Sequence, residues 1–143
     1  MSAGQEITLR LTIGDPFPGV AYSLQDKSNR PVGAVIATEA PLSFEVPVRV
    51  AMEAGKGPRF LGDFVRSERP QRRFVYIAIG GQAGAHSAWS RRAKVDIHDI
   101  PAALLDQALA GAVLEAALPG RAKDGGPACA TVRPIEGWKV VAA

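Results

Sequence analysis

The chain has 143 residues, of which 47% are apolar and 22% charged, with a net charge of +3. That length suits one domain around one core, and the composition excludes a disordered or fibrous protein. The small basic excess suits an acidic ligand without requiring one.

Fifteen glycines and eleven prolines predict frequent turns and short strands. Ile7, Leu9, Leu11 and Ile13 alternate with Thr8, Arg10 and Thr12, the period of a strand with one buried face. Gly14-Asp-Pro-Phe-Pro-Gly19 is a turn, because two prolines remove backbone donors and the glycines permit positive φ. Val20, Tyr22 and Leu24 alternate again, Asp26 to Pro31 closes a hairpin arm, and Val32 to Ala37 is a short apolar run. Leu42, Phe44, Val46, Val48 and Val50 make the clearest alternation, while Pro47 argues for an edge or bulged position. Strands are predicted around Phe60 to Val65 and Arg73 to Ile79, joined by a basic loop from Arg66 to Arg72.

After a glycine-rich loop, Ala93, Val95 and Ile97 supply one strand face and Arg92, Lys94, Asp96 and His98 the other. Pro101 to Ala110 is rich in helix formers, begins with proline and stops at Gly111, with Asp99 close enough to cap it. Strands follow near Val113 to Leu118, Ala128 to Val132 and Trp138 to Val141. The expectation is a mainly β fold over residues 1–143 as a single domain: an antiparallel β-sandwich or partly open barrel with one α-helix near residues 101–110. No stretch approaches the ~20 apolar residues that span a bilayer, and no basic segment followed by an apolar run marks a signal peptide. The one cysteine, Cys129, excludes an internal disulfide and fits a reducing, cytoplasmic setting.

Two stretches carry a resemblance: the glycine loop running into Trp89-Ser-Arg-Arg-Ala-Lys94, and Lys123-Asp-Gly-Gly-Pro-Ala-Cys-Ala-Thr-Val132. With the N-terminal strand and the Asp-Pro-Phe-Pro-Gly-Val turn, the chain resembles a bacterial family of small uncharacterised proteins, a domain of unknown function. The resemblance covers about Ile7 to Trp138 and implies no activity.

The segment from Arg73 to Ile97 joins glycine backbone, an aromatic ring and positive charge, the makings of an anion or small-ligand pocket. Trp89 and Arg91 share the parity of Ala93 and Val95, which turns Arg91 toward the apolar side, and Arg73 shares parity with Val75 and Ile77. Asp63, alternating with Leu61 and Val65, is the partner such an inner-face arginine needs. One reading has Arg73, Arg91 and the amides of Gly80, Gly81 and Gly84 binding a carboxylate or phosphate against Trp89. The other has Asp63 and an arginine as a structural ion pair, with the glycines only turning the chain. Lys123, Gly125 and Gly126 form a second glycine-rich corner with the same two readings.

No catalytic set, cofactor motif or metal-ligand spacing stands out. Gly80 to Gly84 lacks the Gly-Lys-Ser/Thr ending of a P-loop and leads into no helix. His86 and His98 match no zinc spacing, and Cys129 in its small apolar strand reads as buried and inert. Arginines 66, 69, 72, 73, 91 and 92 with Lys94 make a weak nucleic-acid face, since Glu68 interrupts them and no aromatics interleave. Three functions stay open. The first is a non-enzymatic module for a small anionic ligand or peptide at the two glycine-rich corners. The second is an enzyme with Asp63 or His86 as acid/base and Arg91 as clamp. The third is a protein–protein module, a homodimer pairing through the strand that carries Pro47.

Overall fold

The computed structural model describes residues 4–53, 55, 57–69, 72–80, 91–123, 125–128 and 130–141. In chain order the elements are β1 (Gln5–Ile13), β2 (Ala21–Gln25), β3 (Pro31–Ile36), β4 (Leu42–Glu53), β5 (Gly57–Leu61), β6 (Val65–Arg69), β7 (Arg72–Gly80) and β8 (Arg91–Asp96). They are followed by α1 (Ala102–Leu109), β9 (Val113–Leu118), β10 (Ala130–Val132) and β11 (Trp138–Val141). Sheet I runs in the order β11-β9-β1-β4-β5, and sheet II in the order β10-β8-β7-β2-β3, with β6 also paired to β7.

The inner faces follow from alternation. Ile7, Leu9, Leu11 and Ile13 of β1 and Phe44, Val46, Val48 and Val50 of β4 are buried against Val75, Ile77 and Ile79 of β7 and Val95 of β8. Each side chain so buried contributes about 1.5–3 kcal/mol over leaving it exposed. The outer face of sheet I is polar, with Arg10 bound to Glu45 at 3.0 Å and Thr12 to Ser43. The arrangement is sandwich-like, mainly β, with one helix and no closed barrel among the described residues.

The sheets are mixed rather than wholly antiparallel. β9 lies parallel to β1, with Thr8 opposite Val113, and β10 lies parallel to β8, with Ala130 opposite Ala93. Both strands arrive from the opposite sheet, so neither is bound to the reversal that a tight hairpin imposes. α1 makes one such crossing and packs Leu105 and Ala108 into the core beside β1, β9 and β11.

The helix bears out the expected segment, but Asp99 does not cap it: Pro101 is the N-cap, without a side-chain bond, and Asp99 lies 3.9 Å from Arg72. Its end is a Schellman motif, in which Ala112 N–H reaches Gln107 O and Gly111 N–H reaches Ala108 O, with Gly111 at φ +115°.

Two strand expectations are corrected. The single strand from Phe60 to Val65 is the end of β5 and the start of β6, which belong to different sheets. Gly62, at φ +150°, makes the crossing, and a Cβ there would sit 3.3 Å from Pro47 O. The basic loop from Arg66 to Arg72 is largely β6, hydrogen-bonded to β7. Pro47 faces Thr8 of β1 in an interior strand. β5 pairs only with residues 49–53, however, so the side of β4 at Pro47 lies beyond the end of its neighbour.

Candidate functional site

Strand direction decides what can meet. β7 ends at Gly80, β8 begins at Arg91 opposite Ile79, and β10 begins beside Ala93. Gly80, the Arg91 backbone and the corner that leads into β10 therefore come to the same end of sheet II. Gly81, Gly84, His86, Trp89, Cys129 and the Arg91 side chain lie outside the described residues.

The second corner is built as a tight turn. Ala122 N–H donates to Gly126 O, and Gly125 N–H, at φ +90°, donates to Ala122 O. The Gly125 amide is thus engaged within the turn, while Lys123 is exposed. The base of this corner is locked to the Gly14–Gly19 turn: Arg121 lies 3.3 Å from Asp15 and over the Phe17 ring at 5.3 Å. Phe17 N–H in turn donates to the Tyr22 hydroxyl at 3.0 Å.

Burial pushes the Tyr22 phenol above its ordinary value of 10.0, against the Phe17 N–H and Arg121, which favour the phenolate. An acid whose folded pKa is raised contributes stability that is complete below its unfolded pKa and is lost as pH rises through the folded one. The melting temperature should therefore decline as pH climbs above 10.0, and Tyr22→Phe should flatten that decline. Thermal melts of both proteins across the alkaline range check this; identical slopes would refute it.

Asp63 is not an inner-face residue. It sits in the turn between β5 and β6 with its side chain 85% exposed, 3.7 Å from Lys27, and its carbonyl accepts from Lys27 N–H. The parity that placed it inside assumed one continuous strand, and the sheet crossing at Gly62 breaks that parity. Asp63 lines a shallow groove of about 210 Å³ with Glu6, Pro47, Arg49, Gly62 and Phe64, where opposite charges mix. Arg73 is half-buried and donates to Ser67 Oγ and Arg72 O. Among the described residues no group of three or more His, Cys, Asp or Glu could hold a metal ion.

A cluster of positive charge lies elsewhere, on the outer face of sheet II. The face of β7 opposite the core carries Phe74, Tyr76 and Ala78, all buried, with Tyr76 only 2% exposed. Pairing across the sheet sets Gln25 on one side of Tyr76 and Lys94 on the other, and sets Arg92 beside Ala78. Arg66 from β6 lies 4.7 Å from the centre of the Tyr76 ring, Arg92 5.0 Å and the Lys94 ammonium 5.9 Å. The Lys94 ammonium is also 5.2 Å from the Phe74 ring, which meets Tyr76 edge to face. Long basic stems thus cover an aromatic surface and keep their charged heads at its rim.

Arg66 is steered by Gln25 and Asn29. Neither Arg66 nor Arg92 pairs with a carboxylate among the described residues. The acid of this face, Asp96, is 7% exposed and already committed: it pairs with Arg72 and accepts from His98 N–H at 2.8 Å. Sequence reasoning groups Arg66, Arg92 and Lys94 as a basic face but misses the Phe74 and Tyr76 rings beneath them. Their signal lies in the parity of β7, where the positions opposite Val75 and Ile77 carry large aromatics, a pattern that needs a cover.

No helix of the structure is long and apolar enough to cross a membrane, among the residues described. No curated protein and no solved structure matches the chain. One family model does match, over residues 7–141, from the first core residue of β1 to the last residue of β11. With nearly every described element inside that span, the chain belongs to this family, a family of unknown function (DUF5990).

Proposed function

We propose that the protein is a non-enzymatic module that binds a small anionic ligand, and that the ligand sits on the outer face of sheet II around Arg66, Arg92 and Lys94. The observation that carries this reading is the convergence of three cations on the one Tyr76 ring, two of them without a carboxylate partner among the described residues. Like charges held this close repel, and an anion between them would relieve the repulsion while gaining charge-assisted hydrogen bonds. The end of this face adjoins Gly80 and the start of β8. A small anion is favoured over nucleic acid because the Tyr76 ring, almost fully covered, offers no face for a base to stack on. One cysteine in the chain supports a cytoplasmic setting, and the motif resemblance supports a bacterial one. The enzyme reading loses support from Asp63, which is exposed and paired with Lys27.

Titration with inorganic phosphate and citrate, followed by backbone amide shifts, tests the proposal. Saturable shifts are expected in β7 and β8, and Arg92→Ala should weaken binding about tenfold or more, the size of one lost charge-assisted contact. Lys139→Ala, on sheet I, should leave binding unchanged. Shifts scattered over the surface, or equal losses in both variants, would overturn it.

A further inference from the structure

We propose that Asn29 and Gln25 are positioning residues, which hold Arg66 by neutral amide oxygens so that it meets a doubly charged anion with its own charge intact. The inference rests on the anion site proposed above and names the class of its ligand. Arg10, Arg30, Arg72 and Arg121 are held by the carboxylates of Glu45, Asp26, Asp96 and Asp15. In each of these pairs the acid that orients the guanidinium also offsets its charge. Arg66 is held differently: its Nη1 donates to Gln25 Oε1 at 3.3 Å and to Asn29 Oδ1. An amide oxygen accepts a hydrogen bond as a carboxylate does but brings no net charge. Arg66 is thus oriented without being neutralised.

Both amides stand on firm supports. Gln25 is the last residue of β2, 6% exposed, and lies opposite Tyr76. Asn29 is fixed by the hairpin tip that follows. There Asp26 N–H donates to Arg30 O, Asn29 N–H donates to Asp26 O, and Asp26 Oδ1 accepts from the N–H groups of Ser28 and Arg30. Asn29 sits at φ +67°, a left-handed conformation that asparagine tolerates better than most residues. Glycine would suit this backbone as well, but it would bring no amide to Arg66. A long side chain fixed beforehand loses less freedom when a ligand binds.

The ligand class follows from the strands that carry the cations. Phe74 of β7 pairs with Arg66 of β6 on one side and with Asp96 of β8 on the other, so Arg66 and Arg92 reach Tyr76 from opposite sides of β7. An anion held between them offsets both charges when it carries two of its own. A compact dianion, a phosphate or a short dicarboxylate, fits this better than a monocarboxylate.

The test is a backbone-amide titration with phosphate at about pH 8, where the dianion prevails, and with acetate at equal ionic strength. Phosphate should bind at β7 and β8 at least about tenfold more tightly than acetate. Asn29→Gly keeps the turn and should weaken phosphate binding about threefold; with Arg66→Gln already in place it should change nothing, because it acts through Arg66. Asn29→Asp should weaken phosphate binding at least about tenfold and flatten its salt dependence, with no fall in melting temperature. Asn29 variants that bind like the parent would overturn the inference. So would an Asn29→Gly effect that persists without Arg66, or acetate that binds as tightly as phosphate. Each of these leaves the anion site standing where Arg92→Ala still weakens binding. An absence of phosphate shifts in β7 and β8 would overturn both.

Discussion

Gly120→Ala is expected to be strongly destabilising, the tightest case among the glycines described. A Cβ on Gly120 would overlap Asp15 O and the Asp15 carbonyl carbon. Both are backbone atoms, so no side-chain rotation relieves the overlap. The Asp15–Pro16 turn must move away, and with it go the Arg121–Asp15 pair, the Arg121 contact with Phe17 and the Phe17–Tyr22 hydrogen bond. Overpacking in closed sites costs about 1–3 kcal/mol and occasionally more; an overlap with rigid backbone belongs at or above the upper end. Against a total stability of about 5–15 kcal/mol for a domain, a loss of about 3 kcal/mol should lower the melting temperature by roughly 10 °C. Gly14→Ala is the matched control, because its Cβ meets nothing within 4 Å and its φ is not in the left-handed range. Calorimetry of the two variants gives the comparison directly. A Gly120→Ala protein that melts with the parent would mean that the two turns do not pack as described.

Tyr76→Ala is the second large effect. The ring is 2% exposed although it lies on the solvent side of sheet II, so its burial is made by its neighbours: Phe74 edge to face at 6.4 Å, and the stems of Arg66, Arg92 and Lys94. Truncating a buried aromatic costs about 3–5 kcal/mol, and here the truncation also leaves three cations crowded around an empty space. Tyr76→Phe keeps the ring face and should retain most of the stability. Denaturant unfolding of the two variants separates the readings. Equal, small losses would show that the ring is only a lid, and the anion platform proposed above would lose its foundation.

How far these features are legible in the sequence depends on the range of the interaction that makes them. β1, β4 and β8 are written locally, in runs where every second residue is apolar, and α1 is written in its composition and in the glycine that ends it. Alternation names a face but not a partner. It does not say that β9 lies parallel to β1, nor that β5 and β6 belong to opposite sheets, a division carried by the single residue Gly62. β2 is legible in the alternation of Tyr22 and Leu24, although all five of its residues are buried. Asp63 was misplaced for the same reason: its parity is meaningful only if the strand does not break. The Tyr76 platform draws one residue from each of two flanking strands and two from a third, and no window along the chain contains that set. The corner at Lys123 to Pro127 is legible as a turn, but the use of the Gly125 amide within that turn is not.

The order in which the strands are laid down has a bearing on how this chain is made. β1 is the first strand of sheet I, yet one of its two neighbours is β9, and Thr8 meets Val113. The outer place in that sheet is filled by β11, the last strand of all. While the chain is being synthesised, β1 can pair with β4 but must wait for nearly the whole sequence before its other side is closed. Contacts so distant along the chain make folding slow, because loop closure is spent before the pairing that rewards it. During that interval the apolar β1 edge and the bare β3 edge are exposed together, two templates for pairing with a neighbouring chain. Completion of the C-terminal strands thus removes one of these two templates, the β1 edge.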